Sequence, residues 1–297
     1  MTDSMIYPET DEDLSAHRTI YAADILKDKV MLVTGGGSGI GRATAWLALR
    51  LGASVVIAGR SEDKLARTVA EMKRLTRSNS MAYRVMDIRA SDSVVNVIDS
   101  VHDSFGKLDI LVNNAGGQFP QPAIDFSEKG WRSVIDTNLN GTWNVMDCAA
   151  KKWQKTGAQG SIVNVVVVDQ GLHGIAHTVA ARAGTIAFSE KVSVEWAPYG
   201  IRVNCVAPGT IKTEGWKVYP EQVRARYPQT NPMMRAGSPW EIAEAIIFIG
   251  GPGGSFINGE TLVVDGGGRH WGEIWAGEKP EHFLEASRVY EPPESDN

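Results

Sequence analysis

Cysteine is nearly missing from this sequence: Cys148 and Cys205 are the only two among 297 residues. Two thiols make neither a disulfide framework nor a metal-ligand pair, so a reducing, cytoplasmic setting with no bound metal is expected. Basic runs are missing too. Thirty Lys and Arg stand against 35 Asp and Glu, a formal net charge of −5, which argues against nucleic acid as a partner. No apolar stretch is long enough to span a membrane, and the acidic, polar opening M-T-D-S-M-I-Y-P-E-T-D-E-D does not read as a secretory signal. What remains is 43% hydrophobic and 22% charged, ordinary for a globular protein with a sizeable core.

The most informative stretch is V-M-L-V-T-G-G-G-S-G-I-G, residues 30 to 41. An apolar run short enough for a strand buried on both faces leads into glycines at 35, 36, 37, 39 and 41, and then into a helical segment from Ala43 to Leu49. Glycines let the backbone approach a pyrophosphate, and the unsatisfied N–H groups of a helix start point at it. A glycine-rich turn alone is weak evidence; the strand before it and the helix after it make this one a nucleotide cradle.

The same alternation continues. Strands are expected at 53–58, 81–86, 108–112, 161–168, 202–206 and 261–264, with helices at 62–77, 91–105, 127–155, 176–196 and 239–249. Such a chain forms an α/β fold, a doubly wound parallel sheet of seven strands covered on both faces. Residues 1–28 read as an N-terminal extension with little regular pattern, 29–268 as one dinucleotide-binding catalytic domain, and 269–297 as a polar tail. Gly35–Gly41, Arg60, Asp87, Asn114–Gly116 and Pro208–Gly209 all follow strands, so they converge at the carboxyl edge of the sheet, where such folds bind ligands.

At these residues the sequence resembles the short-chain dehydrogenase/reductase family. Thr34–Gly41 matches T-G-x-x-x-G-x-G, Asn113–Gly116 matches N-N-A-G, Asn138 falls at the family's catalytic-site Asn, Arg202–Gly209 matches R-V-N-x-V-x-P-G, and Asp265–Gly267 matches D-G-G. The resemblance covers about residues 28–268 and implies hydride transfer and often a homotetramer. It implies that Gly35, Ser38, Gly39, Ile40, Gly41, Asn114, Ala115, Gly116, Pro208, Gly209, Ile211 and Thr213 line the cofactor, with Asp87 and Ile88 beside the adenine. It also implies that Asn138 kinks its helix and holds a water. Cofactor choice follows from Gly59-Arg60-Ser61 after the second strand. An acid there would bond the ribose 2′-OH of NAD, whereas Arg60 can pair with a 2′-phosphate, so NADP(H) is expected; a solvated surface arginine is the competing reading.

The family's Ser and Tyr-x-x-x-Lys are not found where alignment through A-A-R-A-G puts them. Thr178 takes the Tyr position, Arg182 the Lys position, and Val165–Val168 offers no hydroxyl. A Thr hydroxyl has no pKa near neutrality and cannot act as a tuned acid. Arg182 keeps a positive charge and donors that can hold a cofactor. His177, beside the vacated position, is the remaining acid candidate; packing is its competing role, and Asp169 and His173 are further donors to consider. N-A-G-G-Q-F at 114–119, K-G-W at 129–131 and H-T-V-A-A-R-A-G at 177–184 resemble the family's peroxisomal trans-2-enoyl-CoA reductase and citronellol dehydrogenase-like subgroup, with the 2,4-dienoyl-CoA reductases related.

Gln118 and Phe119 are expected to line the cleft. Residues 212–235, carrying Trp216, Tyr219, Tyr227, Met233 and Met234, occupy the region that the resemblance makes the substrate lid, and Arg224, Arg226 and Arg235 can meet CoA phosphates, a solvated helix face being the competing reading. Three readings follow. The first is an NADPH-dependent reductase of an enoyl-CoA or other conjugated apolar substrate. The second is an alcohol or ketone dehydrogenase for a bulky apolar substrate. The third is a catalytically inactive dinucleotide-binding protein.

Overall fold

The computed structural model describes residues 9–168 and 174–271. Seven strands, β1 Val30–Thr34, β2 Ser54–Gly59, β3 Met81–Val85, β4 Ile110–Asn113, β5 Gly160–Val165, β6 Ile201–Pro208 and β7 Thr261–Val264, form one parallel sheet in the order β3-β2-β1-β4-β5-β6-β7. The helices are α1 Asp11–Ala16, α2 Gly39–Arg50, α3 Glu62–Thr76, α4 Ser91–Phe105, α5 Glu128–Ile135, α6 Gly141–Thr156, α7 Ala176–Trp196, α8 Glu221–Arg224 and α9 Pro239–Gly250.

Side chains alternate across a strand, and β1 divides its residues accordingly. Met31 and Val33 join a core with α2, α3 and α9, whereas Val30 and Leu32 join a second core with α4 and α6. Both faces of the sheet are therefore dry, which is why β1 reads as an unbroken apolar run. Strand order reverses at β1, with β2 on one side and β4 on the other, so a crevice opens at their carboxyl ends.

Three expectations change. The helix read over 127–155 is two helices, α5 and α6, separated by a π turn at Asp136–Asn140, an interruption at the residue where the family resemblance implies a kink. The turn widens the backbone ring around Asn138, a local departure that apolar periodicity does not register. The fifth strand, read over 161–168, ends at Val165, after which only Val166 N–H still bonds the sheet, to the Val206 carbonyl. The N-terminal extension also carries regular structure. Thr10 and Asp13 form a reciprocal capping box that starts α1. Leu14 and Leu26 are buried in the α2–α9 core, each contributing about 2 kcal/mol of apolar burial. Trp46 Nε1 donates to Asp11, and His17 stacks on Trp240 at 4.7 Å. Residues 9–28 are thus part of the folded unit rather than an appendage to it. The tail beyond Trp271 lies outside the described residues.

Candidate active site

The glycine turn and the end of β4 are tied together by Thr34. Its hydroxyl oxygen accepts the N–H groups of Asn114 and Ala115, each at 3.0 Å. Asn114 Nδ2 donates back to the Thr34 and Gly35 carbonyls at 3.0 and 3.3 Å. A Cβ on Gly41 would lie 2.5 Å from both Asn114 Nδ2 and the Gly35 carbonyl oxygen, so only glycine lets α2 start this close to the turn. Asn114 therefore holds the cradle's shape. Thr34 opens the matched T-G-x-x-x-G-x-G stretch, and the part its hydroxyl plays in holding the end of β4 shows only in the fold.

Ser38 precedes α2 but makes no side-chain cap, which leaves the first N–H groups of that helix without a side-chain acceptor. Gly39 and Ile40 form its first turn, with Ile40 partly buried against the core. Thr213 closes over this turn, its methyl carbon 3.4 Å from where a Gly39 Cβ would lie, while its hydroxyl accepts the Gly215 N–H. Pro208 ends β6, Gly209 bonds the Val264 carbonyl, and Ile211 is buried and bridges to Gly237.

At the other end of the crevice Arg60 is exposed after β2 and acts electrostatically on Asp87. The Asp87 carboxylate is paired with Arg89 at 2.6 Å, and that guanidinium holds its pKa down at about 2. Ile88 is buried, and its carbonyl accepts from Asn144 at 2.9 Å. Lys64, not singled out from the sequence, sits one turn into α3 with its Cβ 3.4 Å from the position a Gly37 Cβ would take.

Asn138 and Arg182 meet the strand-four turn from below. Asn138 is buried; its Oδ1 accepts the Gly117 N–H at 3.0 Å and its Nδ2 donates to the Gly117 carbonyl at 2.9 Å. The π turn frees its backbone carbonyl, which receives the hydroxyls of Thr142 and Thr185 and, at 3.5 Å, Arg182 Nη1. Arg182 Nη2 donates to the Ala115 carbonyl at 3.4 Å and packs so closely on Gly116 that a Cβ there would collide with it. Arg182 is buried, no carboxylate among the described residues pairs with it, and burial lowers its pKa to about 10. It stays charged at neutral pH. One turn before it on α7, the Thr178 hydroxyl is buried and has no hydrogen-bond partner among the described residues. Unsatisfied helix N–H groups, an unanswered buried cation and an orphan hydroxyl are what a bound anionic dinucleotide would satisfy, and the glycines leave room for its pyrophosphate.

The His177 ring is enclosed by aromatic side chains. It is stacked on Phe126 at 4.4 Å and meets Phe119 edge-on at 4.5 Å. Nδ1 accepts the Thr178 N–H at 2.8 Å, and burial, partly offset by the Ile175 and Phe119 carbonyls, lowers its pKa. Phe119 is thus a wall of this aromatic box. Asp169 and His173 lie outside the described residues. Arg235, expected near CoA phosphates, is committed to Glu241 at 2.6 Å. Gln118 reaches the lid instead, its Nε2 2.5 Å from the Tyr219 hydroxyl.

A family model described as enoyl-(acyl carrier protein) reductase matches residues 35–269. The zebrafish Danio rerio peroxisomal 2,4-dienoyl-CoA reductase is 36% identical over 267 residues, covering 87% of each chain. A probable 2,4-dienoyl-CoA reductase of Bacillus subtilis is 36% identical over 249 residues, 82% of this chain and 97% of that one. Among solved structures, a citronellol catabolism dehydrogenase of Pseudomonas aeruginosa superposes with a TM-score of 0.75 at 37% identity, covering 84% of this chain and 99% of its own.

The chain belongs to the short-chain dehydrogenase/reductase family. As a member it is an oxidoreductase on a nicotinamide-dinucleotide fold. Some family motifs turn out to be scaffolding here. Arg202, the first residue of R-V-N, is spent on the carbonyls of Ile249, Gly250 and Ile257 and on Ser161. Asn204 of the same motif brackets the loop before β7 through Ile257 and Glu260. These bonds fix the sheet edge that carries Pro208 and Gly209 into the short-chain dehydrogenase/reductase cleft.

Proposed function

We propose that this chain is an NADPH-dependent reductase of conjugated thioesters, an enoyl-CoA or a 2,4-dienoyl-CoA. The observation that carries this is the pair on one face of α7, Thr178 with its orphan hydroxyl and Arg182 with its unanswered charge, where resemblance expects Tyr and Lys. The Val165–Val168 run, without a hydroxyl, stands where resemblance expects the Ser.

The dihydronicotinamide, when bound, supplies the hydride. Arg182, beside Ala115 and Gly116, would hold the cofactor's ribose, and Asn138 keeps that turn in register. Ketone reduction needs a proton on the oxygen as the alkoxide forms. Neither Thr178 nor Arg182 can release one near neutral pH. Conjugate reduction places charge on a thioester oxygen, which needs hydrogen-bond donors more than an immediate acid, and water then protonates the α-carbon. Arg60 favours NADPH, and Lys64, whose Cβ lies near Gly37, is a second cation on this side of the glycine turn. The relatives named for dienoyl-CoA reduction support the thioester class.

The lid supports an apolar acyl chain, since Trp216, Tyr219 and Tyr227 pack edge-on above the cleft. The exposed faces of Trp143 on α6 and Val194 on α7 support a homotetramer built on those helices. A second reading, dehydrogenation of a terpenoid alcohol, is favoured by the citronellol enzyme's similarity. Stopped-flow loss of NADPH absorbance with crotonyl-CoA, longer enoyl-CoAs, a 2,4-dienoyl-CoA and a ketone panel separates them. Consumption with thioesters supports the proposal; consumption with ketones alone, together with NADPH formation from alcohols and NADP+, supports the second reading. Tight NADPH binding with no turnover would leave an inactive nucleotide-binding protein.

A further inference from the structure

The lid meets the turn after β4 through Tyr219. Tyr219 ends the short helical turn Glu214–Val218, and its hydroxyl lies 2.5 Å from Gln118 Nε2, the residue directly after the Gly117 that Asn138 clamps from both sides. Gln118 donates and the phenol oxygen accepts, so Tyr219's own O–H makes no bond to any described residue and is left to donate elsewhere. Tyr227 fixes the ring edge-on at 5.7 Å. The phenol is half-buried.

We infer that Tyr219 is the donor that meets the carbonyl oxygen of the substrate, and that Gln118 positions it. This rests on the conjugate-reduction reading. Hydride from the dihydronicotinamide forms the new C–H bond at the β-carbon. The carbon–carbon π pair shifts toward the thioester, its oxygen takes the negative charge, and the dinucleotide leaves oxidised. Tyr219 stabilises that oxygen through its O–H and keeps its proton, and water supplies the proton for the α-carbon. Burial raises the Tyr219 pKa, Gln118 only partly offsets this, and no cation acts on it. A phenol held neutral in this way serves as a hydrogen-bond donor rather than a proton relay, the role of a donor in an oxyanion hole. The lid thereby completes the site when it closes over a bound thioester.

Tyr219→Phe tests this cleanly, because the ring keeps its packing against Tyr227. Single-turnover reduction of crotonyl-CoA is expected to slow about 100-fold, with the NADPH dissociation constant within twofold of the parent. Gln118→Leu is expected to slow it about 10-fold and to add little in the Tyr219→Phe background, as coupled residues do. A readout independent of turnover is the infrared difference spectrum of crotonyl-CoA bound with NADP+. The thioester carbonyl stretch moves to lower wavenumber in the parent and returns toward its solution value in Tyr219→Phe. A rate within threefold of the parent, or an unchanged carbonyl stretch, overturns the inference. If the parent reduces ketones but no enoyl thioester, the conjugate-reduction reading fails by itself. The Tyr219→Phe rate on the ketone then decides the donor role separately. No turnover on any substrate overturns both.

Discussion

The guanidinium of Arg182 lies against Gly116, and nothing negative among the described residues answers it. A buried unpaired charge costs several kcal/mol, so this side chain is a liability to the protein alone and an asset to a complex. Arg182→Met is therefore expected to raise the melting temperature of the nucleotide-free protein by a few degrees. The same variant should lose most of the stabilisation that saturating NADPH confers, which for the parent is about 2.7 kcal/mol at a hundredfold excess over Kd. Melting curves across an NADPH titration check both signs. A variant that melts lower when empty, or responds to NADPH like the parent, contradicts this account.

Gly41→Ala should damage the cradle. The added methyl would sit 2.5 Å from the Gly35 carbonyl oxygen, and backbone cannot swing aside as a side-chain tip can. A loss of about 1–3 kcal/mol in stability is expected. NADPH affinity should weaken at least about tenfold, because the N–H groups of α2 move off the pyrophosphate. Denaturant unfolding and fluorescence titration measure the two effects.

Arg60→Glu should reverse nucleotide preference. The guanidinium can pair with a 2′-phosphate, whereas a carboxylate repels it and can bond a ribose hydroxyl. The ratio of kcat/KM for NADPH over NADH is expected to fall about 100-fold or more. An unchanged ratio would mean that Arg60 is merely solvated and that Lys64 or another group reads the phosphate.

The pH response of His177 follows from its burial. Its folded pKa lies below the ordinary imidazole value, so the unfolded chain binds a proton that the native ring refuses. Its stabilising contribution is whole above pH about 6.5 and is lost as pH falls through the lower native value. His177→Asn keeps an acceptor for the Thr178 N–H and cannot titrate, so melting temperature should depend less steeply on pH between about 7 and 5. Thioester reduction should persist in this variant, since the ring is boxed between Phe119 and Phe126. Abolished activity in a folded variant would return His177 to the chemistry.

Much of this molecule is legible along the chain because the signals are local. Apolar runs of strand length, helical periodicity and glycine spacing each lie within one segment, and alternation of strand and helix limits the topology to a doubly wound sheet. The identities at 178 and 182, and the valines after Asn164, are likewise plain in the sequence. Pairings between distant segments were not legible. Asn114 reads as a cofactor residue, and only folding shows that its amide also donates to the Thr34 and Gly35 carbonyls. Arg235 reads as free for phosphate, but the start of α9 presents Glu241 to it. The π turn at Asn138 leaves no mark in hydrophobic pattern, though it frees the carbonyl that Thr142, Thr185 and Arg182 share. The sequence by itself determined which backbone could form and where its ligand edge lies. Tertiary structure alone decided which charges stay unanswered and which donor the lid delivers, because hydrogen bonds and desolvation depend on neighbours a hundred residues away, as Gln118 and Tyr219 are.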